Sequence, residues 1–432
     1  MLSRKHSIRW MILAMLFGFS FVSYVERVNI SVAAELMMPA LSLTKTEMGQ
    51  IFTSFLLGYA IFQVPAGFLG DRIGPRLTLF GAALGWGITT ILTGLVPGSW
   101  VFRTSARIFA SLWTLRFLLG ATEAATYPVA ARSVRNWMPL HQRGLGNSLV
   151  LAGSSVATAI TAPAISWLMV SIGWRQSFYA SSSLAFFIGL IWFRYATDYP
   201  VQHRYATTHE LELIGSPSKP SESPALLSAS IRSILRQRRV ALLSLSYISE
   251  GYILFIFVFW LYVYLVEVRG FSILRGGLIT ALPWLTAAAF TPCGGVFCDY
   301  MATKRGVLGG ARLIIVSSYL GSGVLLLAAA QTHSRLLAVG SLCLSVGLLY
   351  LAEPAFWTSA VYLSQDQAGT VGGIMNTAGI IGGILSTSLL PLLVKHFGWG
   401  AAFGSGTAMA LFSMLIWSQL GGKSPNSQTR SR

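Results

Sequence analysis

Apolar runs of about 20 residues recur along this chain, and each is long enough to cross about 30 Å of hydrocarbon as an α-helix. The predicted spans are 10–34, 48–70, 77–97, 109–131, 145–170 and 176–195, then 240–266, 276–299, 312–331, 335–363, 369–394 and 399–421. In lipid every backbone group must find its partner inside the protein, so a spanning segment is either helix or part of a closed barrel. The runs lack the period-two alternation of barrel strands, which leaves helix. Composition agrees: 54% of the 432 residues are hydrophobic and 10% charged, against about 25% charged in a soluble domain. The expected fold is therefore all-α, with twelve transmembrane helices. The first run follows Arg4, Lys5 and Arg9, is too long for a signal-peptide core and lacks a clear small-residue cleavage site, so it is expected to remain as a span.

The net charge of +17 could point to nucleic acid, but its placement points elsewhere. Most Lys and Arg precede the first span or fall in 71–76, 132–143, 194–239, 304–312 and the C-terminal tail. With the N-terminus inside, all of these are cytoplasmic, as the positive-inside rule requires. Both termini are expected in the cytoplasm, with no nucleic-acid partner. The short termini and the missing targeting segment suggest a bacterial inner membrane, with a eukaryotic plasma membrane as the alternative.

The long polar stretch at 197–239 contains SPSKPSESP and then RSILRQRR. It predicts a flexible cytoplasmic linker ending in a short interfacial basic helix. The expected organisation is a six-helix bundle at 1–196, this linker, a second six-helix bundle at 240–421 and a tail at 422–432. The halves echo each other. GFLGDRIGPR (67–76) follows the second span and GVFCDYMATKRG (295–306) follows the eighth; GWRQSF (173–178) precedes the sixth and GWGAAF (398–403) the twelfth. Two parallel six-helix repeats are a transporter architecture, with the site expected near the midplane between them.

Gly67, Asp71, Arg72, Gly74 and Arg76 resemble the cytoplasmic motif between helices 2 and 3 of the major facilitator superfamily. Within it, YVERVNISVA (24–33), RFLLGATEAATYPVAAR (116–132), FWLYVYLVEVRGFSILRGGLITALPWL (259–285) and GTVGGIMNTAGIIGG (369–383) are similar to helix patterns of the anion:cation symporter family. The resemblance covers about residues 10–420. It implies an importer of organic acid anions, such as sugar acids, dicarboxylates or aromatic carboxylates, commonly driven by protons.

Charges inside the spans carry the chemistry. A charge at the bilayer centre costs about 2.5 kcal/mol or more, so it faces a cavity or a partner. Arg116 and Glu123 are two turns apart and share a helical face with Gly120 and Tyr127. Burial favours the neutral acid and a nearby Arg the charged one. An anion on Arg116 would therefore help Glu123 to protonate, and Arg116 is read as anion anchor, Glu123 as proton site. Glu26 and Arg27 repeat the theme in the first span. The resemblance, whose pattern has Asp where Glu26 stands, makes Glu26 a second proton-linked carboxylate and Arg27 a substrate or ion-pair partner. It also makes Asn376 a substrate contact, while Asn29 is placed along the outer part of the path.

Glu250 and Glu353 are two further intramembrane acids that the family pattern does not require. They could contact substrate, pair with Arg27 or Arg116, or lie nearer a helix end. Tyr127, Tyr252, Phe356 and Trp357 are candidate aromatic walls. Asp71, Arg72, Arg76, Arg132, Arg135 and, more weakly, Asp299 read as a cytoplasmic gate, with Arg132 or Arg135 as partner of Asp71. The glycines of 369–383 favour close helix packing. No phosphate-cradling loop with Lys-Ser/Thr occurs, and no nucleophile–base motif, cofactor or metal set is apparent. Cys293, Cys298 and Cys343 all fall in spans and read as packing residues. The expectation is a monomeric transporter and not an enzyme. The rival readings are an efflux antiporter, against which the TAPAISW of helix 5 lacks the expected glycines, and a membrane sensor, which would need an appended domain.

Overall fold

Four glycines set the rhythm of the chain. Gly74, Gly173, Gly306 and Gly398 have φ of 88°, 93°, 74° and 77° with ψ between 158° and 178°, a region that a Cβ makes costly. Each is the single-residue turn between two consecutive helices. They stand at corresponding places in the two halves, so the sequence echo at 67–76, 173–178, 295–306 and 398–403 is an echo of four turns.

The computed structural model describes residues 8–96, 104–139, 142–215, 236–363 and 368–420. The helices are α1 (Ile8–Leu41), α2 (Lys45–Ile73), α3 (Pro75–Leu95), α4 (Ser105–Glu123), α5 (Thr126–Trp137), α6 (Arg143–Ile172), α7 (Trp174–Tyr195), α8 (Thr208–Ile214), α9 (Arg238–Glu267), α10 (Ile273–Arg305), α11 (Val307–Gln331), α12 (Arg335–Leu363) and α13 (Ala368–Leu420). Among the described residues there is no strand, and ten helices are long and apolar enough to cross a membrane.

Twelve separate spans were expected, and the difference has two local causes. The span placed at 109–131 is broken into α4 and α5 at Ala124 and Ala125. Pro128 lacks the N–H that would bond to the Ala124 carbonyl, and its ring crowds that carbonyl. The spans placed at 369–394 and 399–421 run together as the 53 residues of α13, interrupted only by Gly398.

The chain divides into two compact units. The first is 1–221 with 265–281; the second is 222–264 with 282–432. In the first, α1 packs on α6, α2 on α4 and α3 on α7. The α2–α4 contact is backbone on backbone. A Cβ on Gly120 would stand 2.0 Å from the Phe55 carbonyl oxygen, and one on Gly58 would stand 2.1 Å from that of Phe117. Residues 265–281 join this unit, and Lys45 Nζ of α2 lies 2.5 Å from Glu267 Oε2. In the second unit, α11 packs on both α12 and α13. Here too the backbones touch: a Cβ on Gly251 would stand 1.8 Å from the Gly379 carbonyl oxygen.

The first part of the polar segment is not a free linker. Asp198 Oδ1 accepts from Arg76 N at the start of α3, Asn136 and Trp137 donate to the carbonyls of Asp198 and Thr197, and Glu210 of α8 accepts from the first N–H groups of α1, Ile8 and Arg9. Orphan N–H groups at helix starts attract carboxylates, which is why this segment docks. Residues 216–235, holding the Ser- and Pro-rich stretch and the first half of the basic run, and the tail 422–432 lie outside the described residues.

Candidate functional site

Four ionisable side chains of α1 and α4 meet inside the first unit, and each arginine turns to the other helix. Arg27 of α1 donates from Nε to Glu123 Oε1 of α4 at 2.9 Å, and its Nη2 completes the ion pair. Arg116 of α4 turns the other way, donating from Nη1 to the Glu26 carbonyl at 2.9 Å and from Nη2 to Asn29 Oδ1 at 2.8 Å. Asn29 Nδ2 passes the contact on, reaching Glu26 Oε2 at 3.0 Å and Ser181 Oγ of α7 at 3.2 Å. Glu26 and Glu123 are fully buried, Asn29 and Arg116 are 1% exposed, and Arg27 is 6% exposed.

The two arginines sit in different chemistry. Arg116 is spanned by a backbone carbonyl and an amide, with Phe178 at 5.9 Å from its guanidinium carbon. Arg27 is caged by aromatic faces, Tyr24 at 4.4 Å, Tyr59 at 5.0 Å and Phe55 at 5.1 Å. Such faces stabilise a cation without neutralising it. Phe55 and Tyr59 are one turn apart on α2 and stack at 6.2 Å. That spacing is their only signal in the sequence.

Each acid keeps one oxygen without a partner, Glu26 Oε1 and Glu123 Oε2. A buried carboxylate oxygen left bare is costly, and protonation removes that cost. The break after Glu123 matters here. Thr126 Oγ1 donates to the Glu123 carbonyl at 2.8 Å, so the acid sits at the end of α4 beside a discontinuity.

The structure corrects several expected placements. Glu123 is paired with Arg27 rather than with Arg116 two turns away, because α1 supplies a guanidinium at closer reach. Asn29 does not line an outer path; it lies one turn from Glu26 and bridges the buried cluster. Tyr252 and Phe356 are buried at 2% and 0% exposure and serve the packing of the second unit. Tyr252 bonds Ser405 at 2.8 Å, and Phe356 packs on Tyr247, Tyr319 and Trp417.

The remaining candidates are spread out. The Tyr127 hydroxyl meets Ser20 Oγ at 3.0 Å. Trp357 is 41% exposed and donates from Nε1 to Glu353 Oε1 at 2.6 Å. Asn376 is half-buried. Asp71 at the end of α2 is ion-paired with Arg132 of α5. Arg76 is turned inward, donating to the Phe193 carbonyl at 3.0 and 2.7 Å, so it ties α3 to α7. Arg72 and Asp299 are exposed and Arg135 is half-buried.

The family model of the Major Facilitator Superfamily matches residues 15–387. The "Probable sulfoacetate transporter SauU" of Cupriavidus necator is 31% identical, over 94% of this chain and 93% of its own. The "Hexuronate transporter" of Bacillus subtilis is 29% identical over 94% and 92%. The "Probable galactarate/D-glucarate transporter GudP" of Escherichia coli is 30% identical over 72% and 70%. Among solved structures, a bacterial homolog of the human lysosomal transporter Spinster, inward-facing and unoccupied, superposes with a TM-score of 0.73 at 16% identity, covering 96% of both chains. A D-xylose-proton symporter gives 0.71 at 15% identity, covering 95% and 97%. At these identities the likeness concerns the fold.

Proposed function

This chain belongs to the Major Facilitator Superfamily, as an integral membrane transporter and not an enzyme, and from that premise we propose that it imports a small organic acid anion together with protons by alternating access. The observation that carries this reading is the buried Arg27–Glu123 pair, with Arg27 in its aromatic cage and one Glu123 oxygen bare.

The coupling follows from competition for one cation. A substrate carboxylate or sulfonate that takes Arg27 displaces Glu123. Glu123 is then a charged acid without a counter-charge in a dry site, and it binds a proton. The reverse holds equally: a proton on Glu123 frees Arg27 for the anion. Each ligand raises the affinity for the other, which is symport by linkage. Arg116 holds the second carboxylate, Glu26, through Asn29, and this cluster is the slower-exchanging partner of the first. Tyr127, Asn376 and Trp357 are the further proposed substrate contacts. The Asp71–Arg132 ion pair is the proposed latch of the cytoplasmic side, with Arg72, Arg135 and Asp299 near it in role. Arg76 serves that end by fixing α3.

The relatives are named for sulfoacetate, hexuronate and galactarate/D-glucarate. All of these are small, strongly acidic and rich in oxygen, which fits an arginine anchor. A monomer in a bacterial inner membrane with both termini in the cytoplasm completes the proposal. The test is uptake into proteoliposomes of labelled sugar acids, dicarboxylates, sulfoacetate and aromatic acids, with and without an inward proton gradient. Gradient-stimulated uptake of at least one is expected. No response to any organic anion overturns the reading.

A further inference from the structure

The second unit holds two acids that the coupling just described does not use, Glu250 buried and Glu353 half-buried. Glu353 of α12 has one oxygen, Oε1, that accepts from Tyr247 Oη at 2.7 Å and from Trp357 Nε1 at 2.6 Å, while its other oxygen, Oε2, is buried with no partner. Glu250 lies one turn beyond Tyr247 on α9, is 5% exposed and stands within electrostatic reach of Glu353. Tyr319 of α11 is completely buried; its hydroxyl has no hydrogen-bond partner, and it stands within reach of both acids. Phe356 holds the two phenols in place, with its ring centre 5.1 Å from that of Tyr247 and 5.9 Å from that of Tyr319.

Two carboxylates set together at low exposure repel one another. The donors are shared unequally: among the described residues Glu353 receives two and Glu250 none. We propose that Glu250 and Glu353 form a second proton site, in which Glu250 carries the proton and presents it to the bare oxygen of Glu353, with Tyr319 completing the shell. The groups set against Glu250 are consistent with this. From α12 it meets Glu353, from α11 Tyr319 and on its own helix Tyr247, while α13 brings Gly379 and Gly382 against this turn. No cation faces it among the described residues that these contacts record. No cluster of three or more His, Cys, Asp or Glu occurs among the described residues, which leaves too few hard ligands for a divalent ion. The proposal also rests on the anion-transport reading in one respect: a carrier of anions is better served by one negative charge here than by two.

Infrared difference spectra of the purified full-length protein, recorded without any substrate, test it. The signal is the carbonyl stretch of a protonated carboxylic acid. Glu250→Gln is expected to remove one such band, Glu353→Gln to keep it at a shifted frequency, and Glu123→Gln to leave it unchanged. Glu250→Asp, measured alongside in case the glutamine variant fails size-exclusion chromatography, is expected to move the band. Persistence of every band at its wild-type position in Glu250→Gln, or in Glu250→Asp where the glutamine variant is lost, overturns the proposal. So does loss of the band when sodium replaces choline, which would make the pair a cation site. Because no transport is measured, failure here is separate from failure of anion uptake.

Discussion

Arg27 is bound by Glu123 of another helix and not by Glu26, its neighbour in sequence. Adjacent residues on a helix point about 100° apart, so Glu26 and Arg27 face different neighbours. Arg27 therefore meets a carboxylate of α4, while Arg116 meets a backbone carbonyl and an amide of α1.

Glu123→Gln keeps the shape of the acid and removes its charge. Arg27 is then permanently available, and proton movement is uncoupled from anion movement. Proton-driven accumulation in proteoliposomes should disappear while anion counterflow persists. Normal acid-driven accumulation by this variant would remove Glu123 from the coupling scheme.

Arg116 differs from Arg27 in what its loss exposes. Arg116→Ala leaves the Glu26 carbonyl and Asn29 Oδ1, both buried, without their donor, a loss of about 1–3 kcal/mol for each. Thermal melting of the detergent-purified protein should fall sharply. Arg27→Ala strands the buried Glu123, so its melting temperature should also fall, and its transport should be lost more completely.

The α2–α4 contact predicts a size limit at Gly120. A methyl group there meets the Phe55 carbonyl oxygen at 2.0 Å, and backbone cannot yield as a side chain can, so Gly120→Ala should cost about 1–3 kcal/mol. Gly81, also in a helix, has nothing within 4 Å of its added Cβ, and Gly81→Ala should leave the melting temperature unchanged or slightly raised.

The docked segment after α7 should loosen in acid. His203 is buried against Tyr195 and Trp137, with Nε2 placed 3.1 Å from the Tyr195 carbonyl and Nδ1 accepting from Tyr205 N at 3.3 Å. That pattern suits the neutral ring, and burial lowers its pKa below the usual 6.5. Above that value both the docked and the free segment hold neutral histidine, so the contact is undiminished. Below it the free segment binds a proton that the docked one excludes, so docking weakens as pH falls. Hydrogen exchange over 197–214 should rise between pH 7 and pH 5, and His203→Gln should flatten that rise.

Asp71→Ala breaks the ion pair to Arg132 at a helix end far in sequence from Arg27. Maximal transport rate should drop several-fold with little change in half-saturation. A loss of affinity alone would argue against a latch.

Much of this protein was written into its sequence. Lipid leaves a backbone few choices, so run length and the missing period-two pattern fixed an all-α membrane fold, and the paired glycine motifs at 67–76 and 295–306 marked the repeat. The charged residues of the site were visible for the same reason, since Glu26, Arg27, Arg116 and Glu123 stand out where charge is expensive. Their partners were not visible. Helical spacing tells which residues share a face, but it does not say which neighbouring helix that face meets. Only packing decided that Arg27 reaches Glu123, that Asn29 joins Arg116 to Glu26, and that Tyr24, Phe55 and Tyr59 surround one guanidinium. Only packing, again, brought Tyr319 to Glu250 and Glu353, because hydrogen bonds between helices depend on rotation and depth, which a one-dimensional pattern does not carry.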